Sequence, residues 1–95
     1  MAAYLISSID VIDEDSYEEY QERGMALLEN YGGRYLVSGG DVKLLRGDWR
    51  PRRLILVEFD SADDIEAMFA SDEFVNLREL ASGAIEGTLI QVEGV

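Results

Sequence analysis

The chain has 95 residues, 47% hydrophobic and 29% charged, with 20 acids against eight bases for a net charge of −12. That length predicts one folded domain with a modest core, and so acidic a surface argues against nucleic acid or anionic membrane as partners. There is no cysteine and no histidine, which excludes disulfides, thiolate metal sites, cysteine nucleophiles and the commonest general base.

At the N-terminus, Met1-Ala2-Ala3-Tyr4-Leu5-Ile6 lacks the cationic lead and long apolar run of a secretion signal. No later stretch approaches the ~20 apolar residues of a membrane span, so the expectation is a soluble cytoplasmic protein. Ala3 to Val11, rich in Ile and Leu, predicts a first strand. Asp13 offers a helix N-cap, and Glu14 and Asp15 favour the positive end of the helix dipole. Tyr20, Gly24, Leu27, Leu28 and Tyr31 then recur at helical spacing until Gly32, which suits a left-handed stop.

Arg34 to Ser38 predicts a second strand, closed by the turn residues Gly39-Gly40-Asp41. Val42 to Leu45 is expected to form a short apolar arm of a hairpin. Pro51 stands before a third strand, Arg53 to Phe59, where its missing N–H costs little. The two faces of that strand are Arg53, Ile55, Val57, Phe59 and Leu54, Leu56, Glu58. Both are largely apolar, which predicts that both sides of the sheet are covered. Ser61 with Asp64 predicts a capped second helix with Ile65, Met68 and Phe69 facing inward. Ser71 and Asp72 interrupt it, and a further turn or two carries Phe74, Leu77 and Ala81 to Gly83. Glu86 to Glu93 predicts the last strand.

The order β-α-β-β-α-β is that of an α+β, ferredoxin-like sandwich: four antiparallel strands with two helices on one face. The other apolar face is expected to meet a second copy of itself in a two-fold dimer.

Chemistry concentrates between Arg34 and Arg53, a segment with six bases and two acids, so it carries +4 while the remainder carries −16. Arg34, Trp49 and Arg53 are the candidate ligand-binding residues, with guanidinium forks for a carboxylate or phosphate and an indole to stack on the ligand. Arg50 and Arg52 read as solvent-facing. Glu58 sits on the strand expected to be most buried and needs a partner there, Arg34 or Arg53. It reads either as a general base polarised by arginine or as an ion pair that fixes register or assembly. Among Tyr4, Tyr17, Tyr20, Tyr31 and Tyr35, Tyr20 is the second catalytic candidate, while Tyr17 and Tyr31 read as core aromatics. The acids Asp10, Asp13, Glu14 and Asp15 lack the spacing of a calcium loop, and the glycine pairs do not make a dinucleotide fingerprint. No metal and no cofactor are expected.

Gly32-Gly33-Arg34-Tyr35-Leu36-Val37, Gly39-Gly40, Gly47-Asp48-Trp49, Pro51, Arg53 and Glu58-Phe59 together resemble the DUF1330 family. The likeness continues at Tyr17 and Tyr20, at Ser71, Glu73, Phe74 and Arg78, and at Val92-Glu93-Gly94. It implies a single dimeric α+β barrel domain over residues 1–95, and no established activity. The chain differs from the family pattern at Ser38, where a basic residue is usual, and at Phe74, where a tyrosine is usual. The expected function is a homodimeric domain that binds an anionic or aromatic metabolite between helices and sheet, near Arg34, Trp49, Arg53 and Glu58. Two alternatives stand beside it. One is a cofactor-free enzyme of oxygenase, isomerase or decarboxylase type, by fold-level analogy. The other is a structural or regulatory dimer module.

Overall fold

Alternation in the strands and three-to-four spacing in the helices produce seven elements in the computed structural model, which describes residues 1–95. These are β1 (Ala3–Val11), α1 (Glu14–Asn30), β2 (Arg34–Ser38), β3 (Arg53–Phe59), α2 (Ala62–Phe69), α3 (Asp72–Ala84) and β4 (Ile85–Glu93). The strands form one antiparallel sheet in the order β2-β3-β1-β4. This is the expected ferredoxin-like arrangement, with the second helical region divided in two.

Local chemistry sets the boundaries. Asp13 caps α1 by accepting from the Ser16 amide at 3.4 Å, and Gly32, at φ +84°, releases the chain after it. Ser61 stands at the N-cap of α2 but makes no side-chain cap bond, so the capping role expected for it is absent. The break at Ser71 is a built junction. Its hydroxyl donates to the Met68 carbonyl at 2.6 Å, ending α2, and accepts from the Phe74 amide at 3.2 Å, starting α3. The third helix is longer than the turn or two expected, running 13 residues. Gly83 lies within it, and the chain passes directly into the extended Ile85 of β4.

One expectation fails in the link between β2 and β3. Val42 to Leu45 forms no strand, and residues 39–52 carry no regular structure. Leu45 is 85% exposed and Val42 is exposed as well, and only Leu44 is partly buried, so this short run has little surface to bury against. The hairpin is instead made by β2 and β3 across the whole link, with Gly39 N–H donating to the Leu54 carbonyl at 3.0 Å.

The inner sheet face supplies the core. Ala3, Leu5, Val57 and Phe59 meet Leu27 of α1, Ile65 and Met68 of α2, and Leu77 of α3. A smaller cluster of Ile9, Tyr17 and Ala84 closes the other end. Only one face of the sheet is covered, and the molecule is a slab of 36 × 35 × 16 Å. Across the outer face, Val37, Leu56, Ile6 and Ile90 stand in register, one from each strand. No helix is long and apolar enough to cross a membrane.

Candidate functional site

Strand parity divides the sequence candidates between two places. Glu58 follows the outward series Leu54, Leu56, so its side chain stands on the outer face, beside the apolar row rather than in the core. Its neighbours in register are Tyr4 on β1 and Arg34 on β2. Arg34 donates to Glu58 Oε1 from Nη2 at 2.8 Å and from Nε at 3.3 Å, and Nη2 also reaches Asp60 Oδ1 at 3.1 Å. The Tyr4 hydroxyl donates to Glu58 Oε2 at 3.1 Å. Arg34 and then Tyr4 hold the Glu58 carboxyl below its ordinary range. The same hydrogen bonds push the Tyr4 phenol and the Arg34 guanidinium upward. A carboxylate held ionised by a fork and a phenol is a weak proton acceptor and a good structural anchor.

Arg53 is not part of that group. It lies five positions from Glu58 on one strand, hence on the opposite face. Its side chain points toward α1, where Nη1 donates to the Tyr17 hydroxyl at 3.0 Å and the guanidinium carbon lies 5.0 Å from the Tyr17 ring centre. Trp49 belongs to neither place. It is 62% exposed in the β2–β3 link and enters no aromatic pair or cation–π contact.

Tyr20 leads to the second place, a crevice between α1, α3 and the inner sheet face. The deep part, about 80 Å³, is bounded by 17 residues of which 14 are hydrophobic. A wider part, about 350 Å³, adjoins it and opens toward β4 past Gly87. Tyr20 borders both parts, and Tyr17 and Tyr35 border the deep one. Tyr17 and Tyr20, three apart on α1, present one face of that helix, with ring centres 6.2 Å apart. Tyr35 joins them from β2. Burial pushes the Tyr20 phenol up and carries Tyr35 to about 12, so both remain protonated donors at neutral pH. Phe69 and Phe74 stack at 4.3 Å on the α2–α3 side of the crevice.

The arrangement therefore brings Arg34 to Glu58 and Arg53 to Tyr17, sets Tyr20 beside Tyr17, and leaves Trp49 apart from both arginine groups. Sequence reasoning missed Asp60 as a second partner of Arg34, although its place two residues after Glu58 was a usable signal. It also read Tyr17 only as a core aromatic. Tyr17 is buried, and it is a crevice wall and the acceptor for Arg53 too. No group of three or more acidic side chains is placed to hold a metal ion.

Residues 2–95 match the family model described as a domain of unknown function, DUF1330. The chain belongs to the DUF1330 family. No curated protein matches the sequence of this DUF1330 chain. Its fold is similar to that of the RPA0582 protein of unknown function from Rhodopseudomonas palustris, with a TM-score of 0.78 at 15% identity, over 99% of this chain and 82% of that one. It is similar to SnoaB, a cofactor-independent oxygenase from Streptomyces nogalater, with a TM-score of 0.68 at 11% identity, over 99% and 93% of the two chains. It is also similar to a dimeric ferredoxin-like protein of unknown function from a Jannaschia species, with a TM-score of 0.65 at 13% identity, over 99% and 100%. At these identities the likeness carries the DUF1330 chain's fold and no more.

Proposed function

We propose that this protein is a homodimer that binds a small aromatic metabolite in the crevice between its helices and the inner face of its sheet. The observation that carries the reading is the crevice itself: concave, mostly apolar, and bordered by three phenols that offer stacking faces and a few fixed donors. This moves the ligand away from Arg34, Glu58 and Trp49, which lie outside the crevice, and keeps Tyr20 at its centre. Arg34, Glu58, Tyr4 and Asp60 then serve assembly. They flank the apolar row of the outer face, where a second sheet would pack, and an ion pair at that edge would fix the register of the two copies. Only 13 of 95 residues are buried in the single chain, so a second sheet on the open face would add the burial that a small domain lacks.

A catalytic version of the reading is favoured by two protonated phenols, Tyr20 and Tyr35, at the wall of a mostly apolar crevice. The fold is also shared with a cofactor-independent oxygenase. In that case Tyr20 would donate a proton or hydrogen bond to oxygen on the ligand.

Thermal unfolding against a panel of phenols, aromatic acids and aliphatic acids tests the binding reading. A ligand that binds only the folded state stabilises it by about 2.7 kcal/mol at a hundredfold excess over its dissociation constant. Aromatic members should raise the midpoint, and matched aliphatic acids should not. A panel without effect on a folded dimer would contradict the reading. Oxygen uptake with the aromatic hits, lost in Tyr20→Phe, would favour the catalytic version.

A further inference from the structure

Arg53 is the one basic residue of the eight that is not exposed. In a chain with 20 acids, it is also without a carboxylate partner, since the ion pairs formed involve Arg23, Arg34 and Arg52. Its only side-chain bond is the one to the Tyr17 hydroxyl. A guanidinium has five N–H donors, and a half-buried cation with no counter-charge is electrostatically incomplete. The phenol it touches is complementary. Having accepted from Arg53, the Tyr17 oxygen keeps its own proton to donate.

Position gives this pair a purpose. Tyr17 is a wall of the crevice. Arg53 lies opposite Ile9 in register and two residues from Ile55 on the same strand face, and both of those also border the crevice. The cation therefore lies just behind the Tyr17, Ile9 and Ile55 end of the deep part, whose own lining carries no charge, while Arg78 of α3 borders only the wider part, with its guanidinium carbon 6.0 Å from the Phe74 ring centre. We infer that Arg53 and Tyr17 receive the carboxylate of the ligand, so that the crevice takes an aromatic monocarboxylic acid with its ring among the tyrosines and its charge at Arg53. This rests on the crevice reading above and adds the ligand's charge and its orientation.

The chemistry selects a carboxylate over a phosphate. One planar fork and one phenol match two coplanar oxygens. A phosphate dianion would need a second cation beside Arg53, and none borders the deep part, since Arg78 lines only the wider one. The remaining charge of the chain, strongly negative, repels a dianion more than a monoanion.

Calorimetric titration of the intact protein with 1-naphthoate, its neutral amide 1-naphthamide, and 1-naphthyl phosphate tests the assignment. The acid should bind the wild-type protein at least about tenfold more tightly than the amide, equivalent to about 1.4 kcal/mol. Arg53→Gln should erase that preference, the acid losing much more affinity than the amide, and Arg53→Lys should restore part of it. Equal affinity for acid and amide in the wild type would overturn the role of Arg53 and leave the crevice reading standing. Tighter binding of the phosphate than the acid would overturn the choice of carboxylate. Failure of all three compounds to bind would overturn the crevice reading and this assignment together. The wild-type comparison decides the matter even if a variant at Arg53 does not fold.

Discussion

Leu56→Asp isolates the assembly half of the account. Leu56 lies at the middle of the outer row, with Val37 on one side and Ile6 then Ile90 on the other. In the single chain Val37 is 37% exposed and Ile90 is 50% exposed, with Val92 nearby at 45%. Covering them requires another surface. Leu56 is already half-buried in the single chain, so covering its remaining surface contributes about 1 kcal/mol, and a two-fold interface contains each residue twice. Losing both leucines costs about 2 kcal/mol, which is about thirtyfold in the dimer dissociation constant. The buried, unpaired carboxylates add to that loss. The fold of the single chain should survive, because the side chain points away from the helices. Sedimentation velocity over a wide concentration range reads the association, and far-UV circular dichroism reads the fold. The wild type should be dimeric and the variant monomeric with an unchanged spectrum. A wild type that stays monomeric throughout, or a variant that associates as tightly, would refute the sheet-to-sheet packing.

Acid stability reports on Glu58. Its folded pKa is depressed by Arg34 and Tyr4, so the stability it contributes is present above the unfolded value of about 4.3 and is lost as pH falls through the folded one. Glu58→Gln should flatten that part of the stability curve below about pH 5, and denaturant melts at stepped pH would show it; an unchanged slope would place the effect elsewhere. Tyr35 works at the other end of the scale. Its folded pKa of about 12 lies above the unfolded value of about 10, so stability should fall as pH rises between the two. Tyr35→Phe should remove that loss and the last-titrating phenolate absorbance. Gly87 sits at φ +151°, and a Cβ there would lie 1.9 Å from the Ser8 carbonyl oxygen. Gly87→Ala should therefore cost well over about 1 kcal/mol in denaturant melts and loosen β4 from β1; a neutral effect would mean that the β4 edge adjusts freely.

How far the sequence reached depended on whether a periodic pattern governed the residue in question. The two apolar faces of Arg53–Phe59 carried both the inner core and the open outer face, because alternation along a strand is fixed by the backbone. The same alternation separates Arg53 from Glu58, and pairing them overlooked it. Trp49 and the run Val42 to Leu45 lie in an irregular link, where no period says which way a side chain turns. Gly83 carried a stop signal, yet α3 ran past it, because a glycine can remain helical when the next residue leads straight into a strand. The crevice was the least legible feature. Tyr17 and Tyr20 share a helix face, but only tertiary packing brings Tyr35 beside them and leaves a gap at Gly87. The unpaired state of Arg53 is likewise a fact of three-dimensional placement, since its sequence neighbourhood is rich in other bases.

The decisive measurement is amide chemical-shift mapping of the ¹⁵N-labelled protein titrated with 1-naphthoate. The account predicts saturable shifts at Tyr17, Tyr20, Leu77 and Arg53, around the crevice, with Arg34 and Glu58 unmoved. Shifts gathered instead at Tyr4, Arg34 and Glu58 on the outer face, or at Trp49 in the β2–β3 link, would contradict it.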